Sequence, residues 1–260
     1  LPVLCMGWMS CSHSGKEHSS LPDPRTLDKS VPEYKNPFHP STYAHFVARK
    51  DYKKTYDIYK DDTLLKRTPK KSRKIFVCLN EQRGQYLVDG LVAMDFPLSS
   101  GVKAYPTKTG DYTVISKKED HVSNLYGKMY DAEGKCINYN AESTDPVPEG
   151  GRFDGSPMPY WQRLTNAGLG LHVGKVRRHP ISHGCVRLPR NVAEILYKQT
   201  SIGTPVTIRN TPLPVPEAQK APLGSKKQAE SYHRNKLLPT TGCEKGLPFG
   251  QSFFNDFLLE

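Results

Sequence analysis

The sequence predicts a mainly β fold, and three observations carry that expectation. Short apolar runs recur between residues 73 and 209, separated by turn residues. Asp89-Gly90 sits between two of these runs, the dipeptide that favours a two-residue hairpin. Apolar residues at helical spacing occur clearly only late in that span, so strands must dominate it.

In chain order, Ile75-Phe-Val-Cys-Leu79 is the first strand. Gln85–Val88 and Leu91–Met94 follow, turned by Gly84 and by Asp89-Gly90. Tyr112–Ile115 is a strand entered through a turn at Thr109-Gly110-Asp111. Leu169–Val173 is a strand ending at Gly174. Asn191 reads as a helix N-cap with Glu194 three residues on, a variant capping box. Val192, Ile195 and Leu196 would form that helix's apolar face, Gly203 would end it, and Val206–Ile208 closes the domain as a strand.

The flanks differ from this centre. Apolar residues make up 36% of the 260, beside 20 glycines and 22 prolines. Ordinary domains run about 45–50% apolar with glycine counted, so one core with segments outside it is expected. No run approaches the roughly 20 apolar residues of a membrane-crossing helix. Residues 1–11 are mostly apolar and give way to a polar stretch, which reads as the tail of an export signal with Cys11 a candidate lipidation site. Residues 12–72 are polar and rich in Pro, Lys and Tyr, and read as a spacer with some docked aromatics and a short helix near Pro40 to Tyr59. Residues 210–260 form a Pro-rich exit, where Pro212, Pro214, Pro216 and Pro222 oppose regular structure, and a polar tail ending in Phe249, Phe253, Phe254 and Phe257.

Net charge is +11, and between Arg49 and Lys74 eleven Lys/Arg face four Asp. Such a run suits an anionic cell-wall polymer or membrane surface, or is simply a solvated linker. No zinc finger, ribonucleoprotein motif or helix-turn-helix pattern points to nucleic acid. The six cysteines show no CxxC and no disulfide framework, although Cys78 and Cys136 could pair.

The chemistry concentrates in His172-Val-Gly174 and Ile181-Ser-His-Gly-Cys-Val-Arg-Leu188. A thiol needs a base or a cation nearby to become a nucleophile, and Cys185 has His172, His183 and Arg187 close in sequence. Gly184 permits a tight turn, backbone N–H groups at Gly184 and Cys185 could face an oxyanion, and Ser182 can bond within the turn. A zinc reading of His172, His183 and Cys185 lacks a fourth ligand at any usual spacing. The expectation is therefore neither metal nor cofactor.

Ser182-His-Gly-Cys-Val-Arg187, preceded by His172 on a strand-like Gly-Leu-His-Val-Gly, resembles the L,D-transpeptidase (YkuD-like) family of bacterial cell-wall enzymes. Lys108-Thr-Gly-Asp-Tyr112, His121-Val-Ser-Asn-Leu-Tyr-Gly127, Met158-Pro-Tyr-Trp161, Leu188-Pro189 and Gly203-Thr-Pro-Val206 agree in order, so the resemblance spans roughly 73–209. The interval from His172 to Ser182 is shorter than in many members. The resemblance implies a β-sandwich with a short helix, Cys185 as nucleophile and His172 as general base. It also implies that the carbonyl near Val173 orients the imidazole. Ser182, His183, Gly184 and Arg187 would shape the site, with a structural role for His183. Tyr160 and Trp161 are pocket walls or plain core. The implied activity is acyl transfer through a Cys thioester from peptidoglycan stem peptides to an amine, or to water as an L,D-carboxypeptidase, in the exported cell envelope or periplasm. A non-catalytic wall-binding scaffold is the alternative of another class.

Overall fold

A computed structural model describes residues 23–67 and 72–220. Thirteen strands and three α-helices make up these residues, so the mainly β expectation holds. Six strands form the first sheet, in the order β1 (Tyr59–Lys60), β4 (Leu91–Pro97), β3 (Arg83–Val88), β2 (Arg73–Cys78), β13 (Pro205–Arg209) and β5 (Gly110–Thr113). The second has four: β12 (Val186–Leu188), β11 (Gly170–Val173), β10 (Trp161–Arg163) and β6 (Ser116–Lys118). A third, of β8 (Cys136–Glu142), β7 (Val122–Tyr130) and β9 (Arg152–Pro157), carries exposed Val122, Leu125, Ile137 and Tyr139.

One core joins the first two sheets. Ile75, Val77, Tyr86 and Ile208 from the first meet Leu171, Val186 and Leu188 from the second, with Val192, Ala193 and Leu196 of helix α3 (Arg190–Gln199) among them. These side chains are buried, and burial of each large apolar one contributes about 1.5–3 kcal/mol. Asp89 at φ +52° and Gly90 at φ +76° turn β3 into β4, the double left-handed pair of a type I′ hairpin.

Several local expectations are corrected. Gly110 and Asp111 lie inside β5 rather than in a turn, because Asp111 and Gly110 pair with Thr207 and Ile208 of β13. Helix α3 begins one residue before Asn191, with Pro189 at the N-cap position; the Asn191 side chain accepts from the Val192 N–H at 3.0 Å. Cys78 and Cys136 are both free thiols.

The flanks pack far more than expected. Residues 23–67 wrap the first sheet instead of acting as a spacer. Thr42 caps helix α1 (Tyr43–Ala48), and the Asp61 carboxylate accepts from Thr63 and Leu64 to cap helix α2 (Asp62–Leu65). Tyr43, Phe46 and Val47 recur at helical spacing and, with Tyr52, pack on Leu87 and Val92 of the sheet. Beneath them Arg83 and Asp95 form a fully buried ion pair at 2.6 Å. Tyr43 and Tyr52 both donate to Asp95 Oδ2, at 2.7 and 2.9 Å. Past β13 the chain also stays on the sheet. It forms a single 3-10 turn, Glu217–Gln219, and the Gln219 amide pairs with both the N–H and the carbonyl of Val92. Cys11, Lys70, Lys71 and the C-terminal phenylalanines lie outside the described residues.

Candidate active site

The parallel pairing of β11 with β12 builds the site. Its register sets Leu171 beside Val186, His172 beside Arg187 and Val173 beside Leu188. Side chains alternate along a strand. Leu171, Val186 and Leu188 occupy the core face, so His172 and Arg187 share the opposite face, and Cys185 sits in the bend just before β12. That face opens on a cavity of about 760 Å³ lined by His172, Cys185 and Arg187.

His172 is 6% exposed. Its Nδ1 lies 2.7 Å from the Val173 carbonyl, so Nδ1 carries the proton and donates, leaving the Nε2 lone pair free to accept a proton. Burial, aided by the charges of Arg187 and His121, lowers its pKa to about 4 against the opposing Val173 bond. The imidazole is neutral at neutral pH, the state a proton acceptor requires. Trp161 forms the wall beside it, with ring centroids 5.9 Å apart, and His121 stacks on Trp161 at 5.0 Å. Gly170 permits this approach: a Cβ there would sit 2.4 Å from the indole.

Burial pushes the Cys185 thiol pKa up, opposed by a backbone hydrogen bond from Gly170 and the Arg187 charge. The resting pair is thus thiol and neutral imidazole. The thiol donates to the Gly168 carbonyl at 3.3 Å rather than to the imidazole. Such bonds are commonly loose before substrate binds.

The turn before Cys185 is held from within. Ser182 Oγ donates to the Cys185 carbonyl at 2.5 Å and accepts from the Gly184 N–H at 3.2 Å. The Gly184 N–H expected to face an oxyanion is therefore already committed to Ser182. Gly184 sits at φ +110°, where a side chain would strain the backbone. Thr107 Oγ1 donates to the Gly184 carbonyl and accepts from the Gly101 N–H, at 2.7 and 2.8 Å. His183 lines the same cavity as His172 and Cys185. It lies between Tyr126 of β7 (4.4 Å, 18°) and Tyr105 (4.8 Å, 55°), which explains a structural role for it.

Arg187 is half-buried and its stem covers Gly174. Trp161 lines the cavity; Tyr160 does not, packing instead on Tyr197 at 5.6 Å and on the main core. Tyr160 is half-buried, at φ +56°, just before the strand that carries Trp161. Sequence reasoning missed Thr107, His121 and Tyr126 as site residues; the two aromatic groups lie within the 121–127 motif, whereas nothing in sequence ties Thr107 to Gly184. It also missed the charge of the walls. Lys108, Arg163, Lys175 and Arg187 line the cavity, with no Asp or Glu among the described lining residues.

The family model of the L,D-transpeptidase catalytic domain, YkuD, matches residues 72–208. The chain belongs to this L,D-transpeptidase family. A curated relative, "Probable L,D-transpeptidase 3" of Mycobacterium tuberculosis, is 32% identical over 120 residues, which is 44% of this chain and 38% of that protein's length. Among solved structures, an L,D-transpeptidase from Mycobacterium smegmatis is 21% identical, with a TM-score of 0.41 over 53% of this chain and 58% of that one. L,D-transpeptidase 3 from M. tuberculosis gives 22% identity and a TM-score of 0.41 over 53% and 61% of the two chains. Family membership rests on the family model. The L,D-transpeptidase match begins at residue 72, so the segment wrapped over the first sheet lies outside it.

Proposed function

We propose that this chain is a peptidoglycan L,D-transpeptidase working through a Cys185 thioester. The single observation that carries the reading is that His172 and Cys185 line one cavity, with His172 Nδ1 tied to Val173. His172 Nε2 takes the thiol proton as Sγ attacks the carbonyl of the third stem residue. The C–N bond to the terminal D-amino acid then breaks, and the imidazolium gives its proton to the leaving amine. An acceptor amine attacks the thioester, its proton passes to His172, and the thiolate leaves and is reprotonated. Arg187 favours the thiolate as it forms, and the cationic walls suit a donor carrying carboxylates.

Export to the cell envelope, tethering at Cys11, and contact of the basic 49–74 segment with anionic wall polymer or membrane belong to the same proposal. Purified muropeptides incubated with the chain and followed by mass spectrometry test it. Cross-linked or amine-transferred product is expected. Release of the terminal D-amino acid alone would make it an L,D-carboxypeptidase, and unchanged muropeptides would leave a wall-binding scaffold.

A further inference from the structure

We propose that Arg178 is a positioning residue for the nucleophile, and that the packed segment 23–67 is the strap it grips. The claim rests on the assignment of Cys185 as nucleophile. Residues 174–184 connect the strand carrying His172 to the turn carrying Cys185. Within them Arg178 stands at φ +56°, a left-handed conformation that a non-glycine residue holds when its surroundings impose it. The imposing contacts are on its guanidinium. One terminal nitrogen donates to the Thr55 carbonyl at 2.7 Å and the other to the Glu81 carbonyl at 2.9 Å.

Both acceptors are themselves anchored. The Thr55 carbonyl also receives Arg83 at 3.1 Å, and Arg83 is locked by its buried pair with Asp95. Arg83 further donates to the Asp57 carbonyl, so two guanidinium groups converge on residues 55–57, one from the sheet and one from the nucleophile loop. The Glu81 side chain holds Arg25 of the strap at 2.7 Å and accepts from the Leu213 N–H at 3.3 Å. Elsewhere the loop is tied to the catalytic domain itself: Arg177 N–H to Ser99 Oγ, and Ile181 and Ser182 N–H to the Ser100 carbonyl. Arg178 is the loop's hydrogen-bonded link to the strap among the described residues. A planar fork bonding carbonyls on two segments fixes direction as well as distance, which a lysine reproduces only in part. Since about 1 Å of misplacement can cost about 10²-fold in rate, a strap outside the family boundary can set the reactivity of Cys185.

The test uses the full chain with Arg178→Ala, Arg178→Lys and, as control, Arg177→Ala, whose exposed side chain makes none of these bonds. Turnover of a stem tetrapeptide and iodoacetamide alkylation of Cys185 are measured on variants shown to be folded by thermal melting. Arg178→Ala should lose about tenfold or more in kcat with KM changed less than about threefold, Arg178→Lys should recover part, and Arg177→Ala should match wild type. Wild-type kcat in folded Arg178→Ala overturns the proposal. If Arg178→Ala does not fold, Arg178→Gln, which keeps one amide donor, is judged by the same criteria. Wild type inert toward the peptide would sink the transpeptidase reading alone. The positioning claim is then decided by alkylation, where a change of about threefold or more supports it and an unchanged rate overturns it.

Discussion

Replacing Asp95 with Asn should come close to unfolding this protein. Asp95 and Arg83 are both 0% exposed, and the carboxylate takes the guanidinium on one oxygen and the hydroxyls of Tyr43 and Tyr52 on the other. The neutral amide would leave the Arg83 cation buried without its counter-charge, with only the Thr55 and Asp57 carbonyls as full acceptors. Breaking one side of a buried pair costs about 3–5 kcal/mol, and a badly served hydroxyl adds about 1 kcal/mol or more. Whole-domain stability is about 5–15 kcal/mol, so this is a large share. At about 2–4 °C per kcal/mol for a domain of this size, the melting midpoint should fall by about 8–24 °C. Tyr43→Phe, which removes one hydroxyl, should cost only about 1 kcal/mol. Thermal and urea unfolding of the full chain measure both. A loss below about 1 kcal/mol for Asp95→Asn would refute the claim that residues 23–67 are locked to the sheet through this pair.

Other outcomes follow from the site. His172 is held neutral with a pKa near 4, below the unfolded value of 6.5, so its contribution is complete above about 6.5 and is lost as pH falls toward 4. That contribution is about 3 kcal/mol, and urea unfolding across this window should show the wild-type slope shrink in His172→Gln. Gly184→Ala has space for its methyl but not the backbone angle, so it should destabilise by about 1–3 kcal/mol and slow acylation; unchanged melting and acylation would contradict the turn's role. Neutralising Lys66, Arg67, Lys70 and Lys71 should weaken binding to anionic wall material and flatten its salt dependence, with soluble-substrate turnover unchanged. Equal wall binding would leave these charges with no part in wall contact.

Much of the catalytic domain was legible because its strands are short apolar runs bounded by local turn chemistry. The β3–β4 hairpin is an example, since Asp89-Gly90 takes up both left-handed positions without strain. The candidate site was marked in the sequence by the closeness of Cys185 to His172, His183 and Arg187 and by the Ser182–Arg187 motif, and the β11–β12 register sets His172 beside Arg187. The third sheet was hidden because β7 buries only Ser123, Gly127 and Met129, so no apolar alternation marks it. The strap was misread as a spacer because its charge outweighs its apolar content, although Tyr43, Phe46 and Val47 stand at helical spacing. Asp95 and Arg83 gave no warning, since a charge in a strand looks solvent-facing until a second layer covers it. Contacts such as Thr107 to Gly184 join residues far apart in the chain, and no local pattern announces them.

The central claim is that Cys185 forms the acyl-enzyme and His172 moves its proton. Intact mass of the protein after exposure to a stem tetrapeptide tests it most directly, in wild type, Cys185→Ala and His172→Ala. Wild type should gain one acyl group, the tetrapeptide less its terminal D-amino acid, with Cys78, Cys136 and Cys243 dispensable for it. Cys185→Ala should gain nothing, and His172→Ala should form the adduct about 10²–10⁴-fold more slowly. An adduct that survives in Cys185→Ala, or that forms at the wild-type rate in His172→Ala, would contradict the assignment.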